Sequence, residues 1–114
     1  MNRHVYCLTY NKEQGVSIES LAIEKINDKE IELSRKSHTF PDKQLPFYNQ
    51  YRIQQLADNY VVWCIDRENI SKMKETLIHE LSKDLKYYQK QSEELKKVIS
   101  EVNQLTTEQW EIRE

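Results

Sequence analysis

Apolar and polar positions change period once along this chain, from two in the first half to between three and four in the second. His4–Tyr10 sets Val5, Cys7 and Thr9 against Tyr6, Leu8 and Tyr10, the alternation of a strand rich in β-branched and aromatic residues. Asn11–Gly15 supplies a turn in which Gly15 can take positive φ. Val16–Ile26 resumes the alternation with Val16 and Ile18, then Leu21, Ile23 and Ile26. The phase slips near Ser20–Ala22, which predicts a β-bulge or a bend there. Asn27–Asp28 makes a second turn, and Glu30–Lys36 follows as a third strand with Ile31 and Leu33 inward. The three runs predict an antiparallel meander.

Ser37–Asn59 holds both prolines and the aromatics Phe40, Phe47, Tyr48 and Tyr51. Pro46 suits the first position of a short helix, which would put Phe47, Tyr51 and Leu56 on one face; the alternative is a covering loop with one helical turn. Tyr60–Ile65 (YVVWCI) is a continuous apolar run, predicting a strand buried on both faces. Asp66 is placed to cap a helix, with Glu68 in its first turn complementing the dipole. From Arg67 to Gln104 there is no Gly or Pro, and good helix formers dominate.

A straight helix of that length runs about 57 Å, against about 30 Å for a small sheet domain. It must either project or break and fold back. Ile70, Met73, Leu77 and Leu81 share a face that suits docking on the sheet. Farther on, Ile78, Leu85, Ser92 and Ile99 fit heptad a positions, and Leu81, Tyr88, Leu95 and Val102 fit d. That register predicts a coiled coil and a homodimer, with an interface of Ile78, Leu81, Leu85, Tyr88, Leu95, Ile99 and Val102. The expected fold is therefore α+β: a small antiparallel sheet of about four strands, then one long C-terminal amphipathic helix. By residue this means a sheet with an aromatic loop over 1–66, the helix over 67–105, and a tail over 106–114. Within the tail, a short turn started by Thr106 or Thr107 would let Trp110 and Ile112 pack.

Composition narrows the function classes. The net charge of −2 is spread evenly, with eight Lys/Arg against nine Asp/Glu in residues 1–66 and nine against ten in the rest. A dedicated nucleic-acid binder shows a basic half or stripe, and none is visible. One glycine and two prolines leave little of the backbone freedom that phosphate-cradling loops use. No apolar run approaches the roughly 20 residues that span a bilayer, and the polar MNRHVYCLTY start lacks a signal-peptide core. The expected setting is cytoplasmic, with both thiols reduced.

Candidate chemistry is thin. His4, Cys7, His38 and Cys64 carry ligand atoms, but paired Cys/His knuckles are missing, so no metal is assigned. Cys64 sits inside YVVWCI, the wrong place for an exposed thiolate, and Cys7 lacks a base and an orienting group in sequence. No catalytic residue and no cofactor is assigned. The helix carboxylates Asp84, Glu93, Glu94 and Glu101 alternate with lysines as on a solvated face. The aromatic loop offers more. Phe40, Phe47, Tyr48, Tyr51, Tyr60 and Trp63, with Lys43 and Arg52, have the composition of a partner-binding surface centred on Tyr48, Tyr51 and Arg52, although aromatics in such a stretch more often roof a small core.

The segments VSIESLAIEKINDKEIEL, YVVWCID and RENISKMKETL give a layout of meandering strands, one apolar strand and a Lys/Glu-rich helix. That layout resembles small proteins encoded by phages and mobile elements of low-GC bacteria. The resemblance by itself implies no activity; some such proteins act by binding and blocking host defence machinery, CRISPR effectors included, so the expected partner is a host protein or complex. The leading expectation is a non-catalytic protein-interaction module of that kind. Two alternatives stand beside it: a nucleic-acid binder using Arg35, Lys36, Lys43 and Arg52, and a protein that sequesters a small molecule such as a nucleotide.

Overall fold

A computed structural model describes residues 3–11, 13–47, 50–56, 59–87 and 92–110; at 55, 56, 84–87 and 92 it describes the backbone alone. The elements are strands β1 (His4–Asn11), β2 (Gly15–Ile26), β3 (Glu30–Leu33), β4 (Gln44–Pro46), β5 (Gln54–Leu56) and β6 (Asn59–Ile65), then helices α1 (Ile70–Tyr87) and α2 (Ser92–Gln104). Single 3-10 turns occupy Arg67–Asn69 and Thr107–Trp110. The strands form one antiparallel sheet in the order β4-β3-β2-β1-β6-β5.

Local chemistry explains the turns. Asn11 Oδ1 accepts from the amides of Glu13 (2.7 Å) and Gln14 (3.2 Å), and Gly15 closes the hairpin at φ 77°. Asn27 repeats the device, its Oδ1 accepting from Lys29 and Glu30. An Asx side chain that holds backbone amides two and three residues on organises the turn in both places, and at Asn27 it does so without a glycine.

The anticipated meander is β1–β3, with β2 running unbroken beside β1 from Gly15 to Ala22. No bulge lies at Ser20–Ala22; the register shift falls between Ile23 and Lys25, where β2 pairs with β3. The slip in hydrophobic phase has another cause. Val16 and Ile18 pack on one face of the sheet, and Leu21 and Ile23 on the other. β2 is thus covered on opposite sides at its two ends. β4 and β5, three residues each, are additional strands; Pro46 ends β4, and Phe47 directly after it is in 3-10 conformation, its carbonyl accepting from the Gln50 amide at 3.2 Å.

Each sheet face carries its own core. On the first, Leu8, Tyr10, Tyr60, Val62 and Cys64 meet Ile70, Met73, Leu77 and Leu81 of α1 and Leu95, Val98 and Val102 of α2, with Trp110. On the second, the sheet curls so that Ile31, Leu33 and Leu45 join Val5, Cys7, Leu21, Trp63 and Ile65, with Phe40 from the loop.

Two helices stand where one long helix was expected. α2 returns beside α1: Lys74 Nζ donates to the Leu105 carbonyl, and Arg67 faces Glu108 at 3.6 Å. The whole molecule measures 44 Å along its longest axis, less than the straight helix would need. Folding back lets both apolar stripes share the first core, and tertiary burial of that kind outweighs the propensity of an uninterrupted helical sequence. Residues 88–91, between the two helices, lie outside the described residues. The expected cap at Asp66 does not form. Asp66 sits at φ 68°, and its carboxylate accepts two hydrogen bonds from Arg3, at 3.1 and 2.7 Å. With its carboxylate turned to Arg3, Asp66 offers no side-chain acceptor to the amides of the following turn.

Candidate functional site

Several of the residues singled out in the aromatic loop tie it to the sheet and its cores. The Lys43 carbonyl accepts from Leu33 N at 2.7 Å and its amide donates to the Phe40 carbonyl, tying the loop to β3. Phe47 is half-buried against the second core. Tyr51 donates its amide to the Trp63 carbonyl at 2.9 Å, packs its ring on the first core and carries Lys72 Nζ 4.6 Å from the ring centroid. Burial pushes its phenol pKa up, with Cys64, Asp66 and Glu68 adding to the shift. Arg52 is exposed. Tyr48 lies outside the described residues.

The helix stripe is likewise occupied. Leu81, Leu95 and Val102 are buried in the chain's own first core, and Ile78 and Ile99 pack against it half-buried. Val98, not part of the heptad assignment, is buried with them. Tyr88 and the Leu85 side chain lie outside the described residues. An interface through these positions would require the helical hairpin to open.

Both thiols are buried. Desolvation pushes Cys64 up to about 12, with Asp66 adding to it. Cys7 is pushed higher still, by burial first and then by the nearby Glu19 carboxylate. The two belong to different cores on opposite faces, so they neither pair nor converge on one ion. Among the described residues no group of three or more His, Cys, Asp and Glu could hold a metal, and no described helix is long and apolar enough to cross a membrane.

The second face of the sheet has two halves of different chemistry. Toward the Arg3 end it presents Val5 and Cys7 on β1, Leu21 on β2 and Trp63 and Ile65 on β6, roofed by Phe40 and Leu45. Toward the β1–β2 turn the same rows continue as Thr9 on β1, Ser17 and Glu19 on β2, and Val61 on β6. There the roof gives way to a groove. A cavity of about 400 Å³ is lined by Cys7, Thr9, Gln14, Ser17, Ile18, Glu19, His38 and Thr39. A second, of about 220 Å³, shares Thr9, Gln14, His38 and Thr39 and extends to Asn11, Gln54, Asn59 and Val61. Together they cross the sheet from β2 to β5, with residues 38–39 as one wall. Glu19 pairs with Cys7 across the strands. Its Oε1 is shielded from solvent and has no hydrogen-bond partner among the described residues.

A larger hollow of about 630 Å³ lies between the hairpin tip and α2, lined by Tyr10, Gly15, Glu93, Glu94, Lys97, Val98 and Glu101. The Tyr10 hydroxyl reaches Glu94 at 3.2 Å there. Glu93, Glu94, Lys97 and Glu101 are exposed, as on an ordinary solvated helix face.

Of the described groove residues, Cys7, His38 and Tyr60 were candidates in the sequence, and the rest were not. The available signal was Glu19, two positions from Leu21 on one side of a strand, in a row that becomes polar toward Ser17. Reading the phase slip as a bulge concealed it.

The chain matches no protein-family model, no curated protein and no solved structure.

Proposed function

We propose that this chain is a non-catalytic protein-interaction module that takes its partner in the groove on the second face of the sheet. One observation carries the reading: a face that is apolar and roofed over half its length opens, over the other half, into a cleft lined with hydroxyl, amide and carboxylate groups. Convergent polar side chains on rigid strands are suited to recognition. Both thiols, buried and held protonated, are poorly placed for nucleophilic chemistry. We place the partner on the sheet rather than on the helices because Leu81, Leu95 and Val102 already cover one another and the sheet. The layout resemblance adds the class of partner: a host protein or a defence complex, of the kind a phage-encoded inhibitor blocks.

The test is capture from a lysate of a low-GC bacterium with three immobilised proteins: wild type, Ser17→Trp, which fills the groove, and Glu75→Trp, on the exposed side of α1. A protein identified by mass spectrometry that wild type and Glu75→Trp retain and Ser17→Trp loses supports the reading. Equal capture by all three, or none by wild type, overturns it. Bound material that disappears on nuclease treatment and with rising salt would favour nucleic acid instead, with Arg35, Lys36 and Arg52 as phosphate contacts.

A further inference from the structure

Glu19 is an anion set among apolar and neutral polar groups. Among the described residues no lysine or arginine lines either part of the groove, and the ionisable side chains beside Glu19 in its first part are Cys7 and His38. Cys7 is held protonated, so it offers no balancing charge. A carboxylate oxygen withdrawn from water without a donor is an uncompensated desolvation. An arriving cation would relieve it. The same carboxylate disfavours phosphate, nucleotide or any acidic occupant.

Resting on the reading of the groove as the partner site, we propose that its occupant is an arginine side chain of the partner protein, seated with its guanidinium on Glu19. Arginine fits the walls better than lysine does. Its planar fork offers five N–H donors, and the groove offers the Glu19 carboxylate together with the Thr9, Ser17 and Thr39 hydroxyls and the Gln14 amide oxygen as acceptors. Guanidinium is also more weakly hydrated than ammonium, so less is lost when it leaves water. A cleft of about 400 Å³ admits one long side chain and the backbone beside it, and is too small for a helix. A metal ion is a poorer occupant, because among the described residues Glu19 is the one carboxylate lining the cleft.

The probe is N-acetyl-arginine amide, titrated into the isotope-labelled full chain and followed by the backbone amides of Thr9, Ser17, Glu19 and Thr39, with Glu75 as a distant reference. N-acetyl-citrulline amide, which keeps the shape and lacks the charge, is the matched control. Saturable shifts confined to the groove are expected with arginine. A charge-assisted hydrogen bond lost from this site weakens binding roughly ten- to hundredfold, so citrulline, and arginine on Glu19→Gln, should fall by that factor. Glu19→Asp, which keeps the charge, should retain part of the affinity and guards against misreading a misfolded Gln variant. Absent groove shifts, equal binding of citrulline, or unchanged affinity in Glu19→Gln overturns the inference. A partner lost on Ser17→Trp with no arginine response would remove this inference and leave the interaction reading standing. An arginine response without any groove-dependent partner would do the reverse.

Discussion

The indole Nε1 of Trp110 donates to the carbonyl of Cys7 at 3.3 Å, across 103 positions of sequence. The Ser20 hydroxyl returns a bond to the Trp110 carbonyl at 2.8 Å. The 3-10 turn that carries the indole is itself fixed by Gln109, whose Oε1 accepts from the Thr106 amide at 2.6 Å. The chain after α2 is therefore clasped to β1 and β2, and Trp110 closes the first core between sheet and helices. Trp110→Ala should reduce unfolding free energy by about 3–5 kcal/mol, the range for emptying a buried aromatic site. Trp110→Phe should cost nearer 1–2 kcal/mol, through the lost hydrogen bond and reduced volume. Urea denaturation of the three proteins checks this, and a Trp110→Ala midpoint equal to wild type would show that the clasp does not form.

Leu95 separates the helical hairpin from a projecting coil. Buried at 7% exposure among Leu77, Leu81 and Val98, it belongs to the same core as β6. An aspartate there buries an unpaired charge, at a cost large enough to threaten a domain whose whole margin is on the order of 5–15 kcal/mol. Wild type should elute with a native mass near 13.8 kDa, and Leu95→Asp should lose its cooperative thermal transition. In a coiled-coil dimer the same variant would instead halve the mass and keep the sheet folded. Light scattering with circular dichroism distinguishes the two.

Strands fixed by local alternation were legible in sequence, as His4–Asn11, Gly15–Ile26 and Asn59–Ile65 show. Period two and Asn-led turns are written within a few residues. Whatever depends on which face is covered, and by what, was not. Ile78, Leu81, Leu95, Ile99 and Val102 fit a heptad and an intramolecular hairpin equally well, because both geometries bury the same stripe. β4 and β5 escaped notice because each is three residues of polar or proline-containing edge strand, with too little pattern to register. The groove depends on a loop halting at Thr39 over strands far away in sequence, and no local window contains that arrangement.

The thiols give a pH signature. Burial pushes Cys64 up to about 12 in the folded chain from an ordinary value of 9.0, and Cys7 is displaced in the same direction. The unfolded chain releases these protons first. Their contribution to stability is therefore complete below about pH 9 and is lost as pH rises toward the folded value, at about 1.4 kcal/mol per pH unit for each thiol. Cys64→Ala should show a shallower alkaline decline than wild type, the comparison removing the shared titration of tyrosines and lysines. Denaturant titrations from pH 7 to 11 measure it. At pH 8 neither thiol should react with a disulfide reagent until the chain is unfolded, and rapid labelling of the native protein would contradict the burial.

Lys43, Tyr51 and Asp66 all hold positive φ, at 61°, 67° and 68°. For residues with a Cβ, sparsely populated backbone of this kind costs about 1–3 kcal/mol, and the three differ in what stabilises them. Tyr51 buries its ring in the first core, and Asp66 gains the Arg3 pair, which is half-exposed and worth under about 1 kcal/mol. At Lys43 the stabilising contacts are made by the backbone, through Leu33 and Phe40, and glycine keeps both. Lys43→Gly should therefore raise stability by about 0.5–1 kcal/mol, seen as a Tm higher by several degrees, while Tyr51→Gly loses packing and falls well below wild type. The same variant tests where the partner sits. If recognition belongs to the groove, Lys43→Gly captures the partner as wild type does. If the aromatic loop is the contact surface, removing its lysine weakens capture even as the protein becomes more stable.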